Sequence, residues 1–223
     1  MAVLAPATSI PRPFEQASAI KPAEVHDPPP RPAAAPLTRE TIASPVDKIR
    51  WRHSRALGLP WRGRLVAGVR VPAAGARFFT WDPVQRRSPN RAWRRVGSDR
   101  LVRTLMRVLD EFAAAHPRAP RIGIGDLSRP GGGDFGVRYG LPGHASHQNG
   151  LDADLYYPRL DRWERPPRAV AQIDRTLAQD LVDRFVRAGA RYVFVGPSTG
   201  LTGPPAVVQP LAHHDNHLHV RLR

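Results

Sequence analysis

Apolar and polar positions recur with two periods along this chain, and the switches between them mark out its elements. In "SDRLVRTLMRVLDEFAAAHP", Leu101, Leu105, Val108, Leu109 and Phe112 fall at helical spacing. Ser98 stands ready as the N-cap and Pro117 ends the run, so this stretch predicts the clearest helix of the chain. A second helix is predicted over roughly Ala171 to Ala188, with Leu177, Leu181, Phe185 and Val186 along one face and Gly189 as its C-cap. Strand-like alternation appears at Leu65, Ala67, Val69 and Val71. "RIGIGDLS" reads as a short buried strand running into the glycine loop "RPGGGDFG", and "LDADLYY", "RYVFV" and "HLHVRL" read as three more strands. Helices and strands mix without the strict alternation of a doubly wound sheet. The expected fold class is therefore α+β, with a central antiparallel β-sheet flanked by helices. No internal repeat is visible.

Composition separates off the N-terminal part. Residues 1–50 hold ten of the 25 prolines and no glycine, and "DPPPRPAAAP" suits neither a helix nor a central strand. This segment reads as a Pro/Ala-rich tail or linker, and residues 51–223 as one folded domain. Cysteine is absent, which excludes disulfides, thiolate metal sites and a catalytic thiol; any metal must be held by nitrogen and oxygen. The formal charge is +15. It comes mostly from arginine, since only Lys21 and Lys48 among the 34 basic residues are lysines. Such a surface attracts polyanions in general, from nucleic acid to acidic wall polymers. No apolar run reaches membrane-spanning length, and the start lacks the basic and apolar regions of a clear signal peptide.

Histidine is the distinctive element. Six of the nine histidines fall in two places, "GHASHQNGLDADLYY" and "AHHDNHLHVRLR". On a strand, Asp152, Asp154 and Tyr156 would share one face, and two carboxylates side by side require a cation or donors. His147 precedes that strand across the turn-capable pair Asn149-Gly150, and His217 and His219 would share a face of the last strand. If the two strands are neighbours, two imidazoles and a carboxylate converge. That set leaves a coordination position for water, as catalytic zinc requires.

The segments "IGDLSRPGGGDFG…GHASHQNGLDAD" and "HHDNHLHVRL" resemble the penicillin-insensitive murein endopeptidases. These belong to a wider metallopeptidase group with lysostaphin-type, D-alanyl-D-alanine and hedgehog-type domains, whose zinc signature is H-x6-D with H-x-H. The similarity extends over about residues 55–223 and includes "SPNRAW". It implies a hedgehog- and D-Ala-D-Ala-peptidase-like fold, a Zn2+ cofactor, peptidoglycan as the partner and an extracytoplasmic place of action. By this resemblance His147, Asp154 and His219 match the metal ligands, His217 and His214 match positions associated with catalysis, and His144 and Asp152 lie near the metal. No glutamate follows Glu164, so the base that many of the wider group place near the last ligand would here be His214 or His217. The implied chemistry is hydrolysis of an amide in cross-linked stem peptides by a metal-activated water. Such a route forms no acyl-enzyme for a β-lactam to trap. The strand-loop "GDLSRPGGG" would either bring Asp126, Ser128 and Arg129 to the rim of the cleft, where the arginine could meet a stem-peptide carboxylate, or be only a glycine-rich turn, the reading favoured for Arg129.

Other readings compete. A D,D-carboxypeptidase or dipeptidase of the same group, or a zinc-binding relative without hydrolysis, would carry the same signature. "GPSTG" fits a serine-hydrolase elbow at Ser198, but Pro204, Pro205 and Pro210 deny the helix that must follow. "RRSPNRAWRR" interleaves arginine and tryptophan as nucleic-acid platforms do, or as a wall-binding patch would, with no accompanying nucleic-acid motif. No specific nucleic acid is expected.

Overall fold

The computed structural model describes residues 49–136 and 144–223. The Pro/Ala-rich stretch read as a tail lies outside them, save Ile49 and Arg50. Ile49 is buried in the core.

Ten strands and two α-helices follow one another along the described chain. Strands β1 (Arg55–Leu59) and β2 (Arg62–Val66) form a hairpin. Strands β3 (Val69–Arg70) and β5 (Val96–Gly97) pair as a short ribbon. The other six make the main sheet: β4 (Phe78–Thr80), β6 (Ile122–Ile124), β7 (Asp152–Tyr156), β8 (Tyr192–Val195), β9 (Val208–Pro210) and β10 (His217–Arg221). Its order is β4-β6-β7-β10-β8-β9. The four inner strands are antiparallel to one another, while the outermost pairs, β4 with β6 and β8 with β9, are parallel. The sheet is thus mixed, not wholly antiparallel as the sequence had suggested. Each parallel pair is joined by a connection long enough to cross back over the sheet.

Helix α1 (Asp99–Ala115) begins as expected: the Ser98 hydroxyl accepts from the Leu101 N–H at 3.1 Å and satisfies one free donor of the first turn. Its stripe, Leu101, Leu105, Val108, Leu109 and Phe112, is wholly buried. Each such leucine contributes on the order of 1.5–3 kcal/mol by leaving water, so tertiary burial holds this helix more than propensity does. Helix α2 (Arg175–Arg187) starts four residues later than the periodicity implied. Asp174 is the reason: its carboxylate accepts from the Leu177 N–H at 3.1 Å, and a separate 3-10 turn occupies Val170–Gln172. The buried face accordingly centres on Ala178, Leu181, Val182 and Phe185, with Leu177 and Val186 at its margin. Both helices join one apolar cluster with Ala153 and Leu155 of β7 and Leu218 and Val220 of β10.

The alternation from Leu65 to Val71 does not make one strand. Ala67 takes a left-handed backbone, φ 51°, which ends β2 and sends the chain into β3 in a different sheet. At Gly150 (φ 77°) an added Cβ would come within 2.7 Å of the Leu65 side chain and 3.1 Å of the Ser98 backbone nitrogen. The Gly150 carbonyl accepts from that Ser98 N–H at 2.8 Å, so the start of α1 is tied to the loop that carries the histidines.

Candidate metal centre

Strands β7 and β10 lie side by side, with Asp154 opposite His219, Tyr156 opposite His217 and Asp152 opposite Arg221. Ala153, Leu155, Leu218 and Val220 are fully buried in the core cluster, so their strand neighbours must point the other way. One face of this strand pair is therefore hydrocarbon, and the other presents Asp152, Asp154, His217 and His219.

The loop before β7 folds back onto that polar face. His147 has a left-handed backbone, φ 68°, uncommon for a residue other than glycine, and its N–H donates to Asp152 Oδ2 at 3.1 Å. Neighbouring segments fix the loop: Gln148 N–H donates to the Pro60 carbonyl, Gly133 N–H donates to the Gln148 carbonyl, and His144 N–H donates to the Phe135 carbonyl. Phe135 packs its ring against both His144 and His147.

Hydrogen bonds define the tautomers. The Leu127 carbonyl can only accept, so the bond at 2.5 Å places the proton of His147 on Nδ1 and leaves a lone pair on Nε2. Asp152 Oδ1 accepts from His219 Nε2 at 2.9 Å, which turns Nδ1 of His219 toward Asp154. Asp154 Oδ1 then lies 3.1 Å from His219 Nδ1 and 3.4 Å from His147 Nε2. Both His147 Nε2 and Asp154 Oδ1 are buried with no hydrogen-bond partner. Three ligand atoms thus face one another in a dry pocket, where only a proton on His219 or a bound cation can meet the charge of Asp154. A buried arrangement of this kind is unfavourable unless a cation occupies its centre, and soft ligands are absent, so the set fits a divalent ion that accepts nitrogen and oxygen. His144 lies against the same group: its ligand atom, with those of His147 and Asp154, falls within a common 4.8 Å.

Electrostatics follow from these contacts. Burial pushes the His147 imidazole below its ordinary pKa, and His144 and His219 add to this against the pull of Asp154. For Asp154, burial opposes ionisation, but His147 and His144 outweigh it and hold the carboxyl well below its usual range. Burial likewise disfavours a charged His219, yet Asp152 and Asp154 raise it to about 9. A proton there takes up part of the charge demand that a metal would meet. His217 goes the other way: burial, helped by His214 and His219, brings it to about 4, against the pull of Asp154. It is a neutral base at ordinary pH. Its Nδ1 meets Asn216 Oδ1 at 2.6 Å, leaving the lone pair on Nε2, which lies 3.9 Å from Asp154 Oδ1. His214 packs beside it, ring centroids 4.6 Å apart, and its Nδ1 donates to the Ala212 carbonyl.

Beneath the histidines lies a support that sequence reasoning did not identify. Asp126 is buried and takes both Arg94 Nε, at 2.7 Å, and Arg94 Nη2, at 2.5 Å. It also accepts from Asn90 Nδ2 at 3.1 Å and meets His144 Nε2 at 2.8 Å. Asn90 belongs to "SPNRAW" and Arg94 follows it directly, so the inclusion of that stretch in the family resemblance was the available signal. The same contacts alter two readings. Asp126 and Ser128 are not at an exposed rim: both are buried, and the Ser128 backbone is bonded to Val96. Arg129 alone of that trio is partly exposed. The "RRSPNRAWRR" stretch is also no open cationic platform, since Arg94 and Arg95 are buried and Arg91 is paired with Asp82. Ser198 sits in an exposed turn after β8, its N–H on Asp215 Oδ1, with no helix following.

A buried nitrogen and oxygen donor cluster on an antiparallel strand pair, with a neutral histidine beside it, is the kind of site found in metal-assisted hydrolases. The comparisons with known proteins narrow this. The family model of the penicillin-insensitive murein endopeptidases matches residues 56–194, and the chain belongs to that family. A curated relative from Haemophilus influenzae (strain ATCC 51907 / DSM 11121 / KW20 / Rd), named penicillin-insensitive murein endopeptidase, is 31% identical over 123 residues. That alignment covers 55% of this chain and 38% of the relative, so the chain spans well under half of the protein it matches. The family match takes in His144, His147, Asp152 and Asp154 and stops before His214, His217 and His219.

Proposed function

We propose that this chain is a zinc-dependent murein endopeptidase, hydrolysing amide bonds in the cross-linked stem peptides of peptidoglycan. His147 Nε2, Asp154 and His219 Nδ1 are the metal ligands in this reading. What supports it most is the convergence of these three acceptors, two of them buried and without a hydrogen bond. Zinc held there would supply a Lewis acid that polarises the scissile carbonyl and acidifies an attacking water.

The remaining work falls to side chains of the chain itself. His217 Nε2 takes the proton of the attacking water and returns it to the leaving amine, and His214, packed against its ring and tied to the Ala212 carbonyl, holds it in position. The Leu127 carbonyl and Asp152 fix His147 and His219 in the tautomers that aim a lone pair at the centre. Asp126, clamped by Arg94, holds His144 over the site. The domain is residues 51–223, with residues 1–50 as a tail. The place of action is extracytoplasmic, and the net charge favours anionic wall polymers around the substrate.

The common 4.8 Å grouping of His144, His147 and Asp154 supports a second ligand set, with His144 in place of His219. Metal content separates the two: His219→Ala should lose zinc and His144→Ala retain it, and the reverse result would favour the second set. The function itself is tested by digesting purified cross-linked muropeptides with zinc-loaded protein and following the products by mass spectrometry. Dimers should gain one water and fall to monomers, and a chelator should stop this. Dimers that stay intact with zinc-loaded protein would refute the proposal.

A further inference from the structure

A second cavity, of about 670 Å³, opens between the β1–β2 hairpin, the β3–β5 ribbon and the glycine loop. Arg50, Arg52, Arg70 and Arg95 line it, together with Pro130 and Gly131, and among the described residues no acidic one does. None of its lining residues belongs to the histidine cluster.

Arg95 is the informative member. It is only 8% exposed, and its hydrogen bonds run to carbonyl oxygens, Nε to Asn90 at 2.9 Å and Nη1 to Val71. Among the described residues no carboxylate pairs with it. Arg94, one residue earlier, shows what this fold does with a buried guanidinium that is structural: it gives it Asp126 at 2.5 Å. A desolvated cation that meets only dipoles is costly to bury, and further positive charge in the same cavity adds to that cost. Burial and the nearby Arg70 both pull the Arg95 guanidinium below its ordinary pKa.

We infer that this cavity is an anion site for a phosphate-class oxyanion, a phosphomonoester or pyrophosphate group. Four guanidiniums with no acid among the described residues call for more than one negative charge. A single carboxylate would leave most of them uncompensated, whereas a phosphate group carries close to two charges and three acceptor oxygens suited to the guanidinium fork. The inference does not depend on the hydrolytic reading, since a different set of side chains carries it.

The test is calorimetric titration of the full chain with inorganic phosphate and with pyrophosphate at fixed ionic strength, with acetate as the comparison. Saturable binding of the phosphates and none of acetate is expected. Arg70→Gln and Arg52→Gln, both at exposed positions, should each weaken it by about tenfold or more, the scale of one charge-assisted hydrogen bond. Arg95→Gln should abolish it, with thermal melting to check that this variant folds. Arg187→Gln, an exposed arginine elsewhere, should change nothing. Phosphatidylcholine vesicles with and without phosphatidic acid distinguish the source: retention only on the anionic vesicles assigns the site to a lipid headgroup, and binding of the free ions to a soluble ligand. Absence of both, or equal weakening by Arg187→Gln, overturns the inference.

Discussion

Asp82 and Asp154 are both buried aspartates in the main body of this protein, yet their surroundings differ. Asp82 Oδ1 accepts from the backbone N–H groups of Val84 and Gln85, each at 2.9 Å, and Oδ2 accepts from Arg91 Nε at 2.5 Å. Every lone pair it presents inward has a donor. Asp154 Oδ1 has no backbone N–H or guanidinium on it, and faces two ring nitrogens instead. Burial alone therefore does not separate a structural carboxylate from a reactive one. The kind of partner does: fixed backbone and guanidinium donors serve the first, titratable ring nitrogens that a cation could take over serve the second.

The hardest way to break this contrast is to remove the undonated carboxylate. Asp154→Ala should lose stoichiometric zinc, measured by elemental analysis, and with it all muropeptide hydrolysis, while the metal-free protein melts no lower than the parent. A large fall in the melting temperature of the metal-free protein would mean that Asp154 is structural after all. The next largest effect concerns the proton. His217→Gln should keep its zinc but lower the turnover of cross-linked dimer by about 10²–10⁴-fold, the usual contribution of a general base. Loss of zinc in this variant would move His217 into the ligand set.

Much of this contrast was legible in the sequence, and the rest was not for physical reasons. The period of two in "LDADLYY" and "HLHVRL" fixes which side chains share a face, because the hydrocarbon residues leave only one face for the charges. That the two strands are neighbours was a condition no spacing could settle, since 60 or so residues and a helix intervene. The register of His219 on Asp154 supplies it. Asn90 and Arg94 were misread because an Arg/Trp-rich stretch looks solvated until Asp126, 32 positions away from Arg94, is seen to bury it. The broken strand at Ala67 was hidden for a simpler reason: apolar alternation runs straight through the turn.

A gentler perturbation separates holding a metal from orienting its ligands. Asp152 accepts from His219 Nε2, from Arg221 Nε at 2.6 Å and from the His147 backbone. Asp152→Asn preserves size but removes the charge that fixes the His219 tautomer. Zinc affinity, measured by competition with a chelating dye, should fall by about 10–100-fold, with the metal still bound at saturation. An unchanged affinity would show that the Asp152 contact only joins strands.

The smallest effect lies at the satisfied carboxylate. Asp82→Ala leaves the metal donors untouched, so zinc stoichiometry should not move, while stability falls by roughly 1.5–3 kcal/mol for hydrogen bonds to a charged group. The partly exposed Arg91 partner keeps the loss below that of a fully buried pair. Its pH dependence has a definite sign. Burial works against the Asp82 anion, but Arg91 and the two backbone donors prevail and hold its pKa below the usual 3.8. A folded-state pKa below the unfolded one gives stability that is complete above the unfolded value and is lost as pH falls through the folded one. Asp82→Ala should therefore flatten the acid limb of the stability profile below about pH 4 and leave its neutral shape alone. A variant whose deficit grew instead toward alkaline pH would show that another group, not this carboxylate, carries the acid sensitivity of the segment that delivers Arg94 to the site.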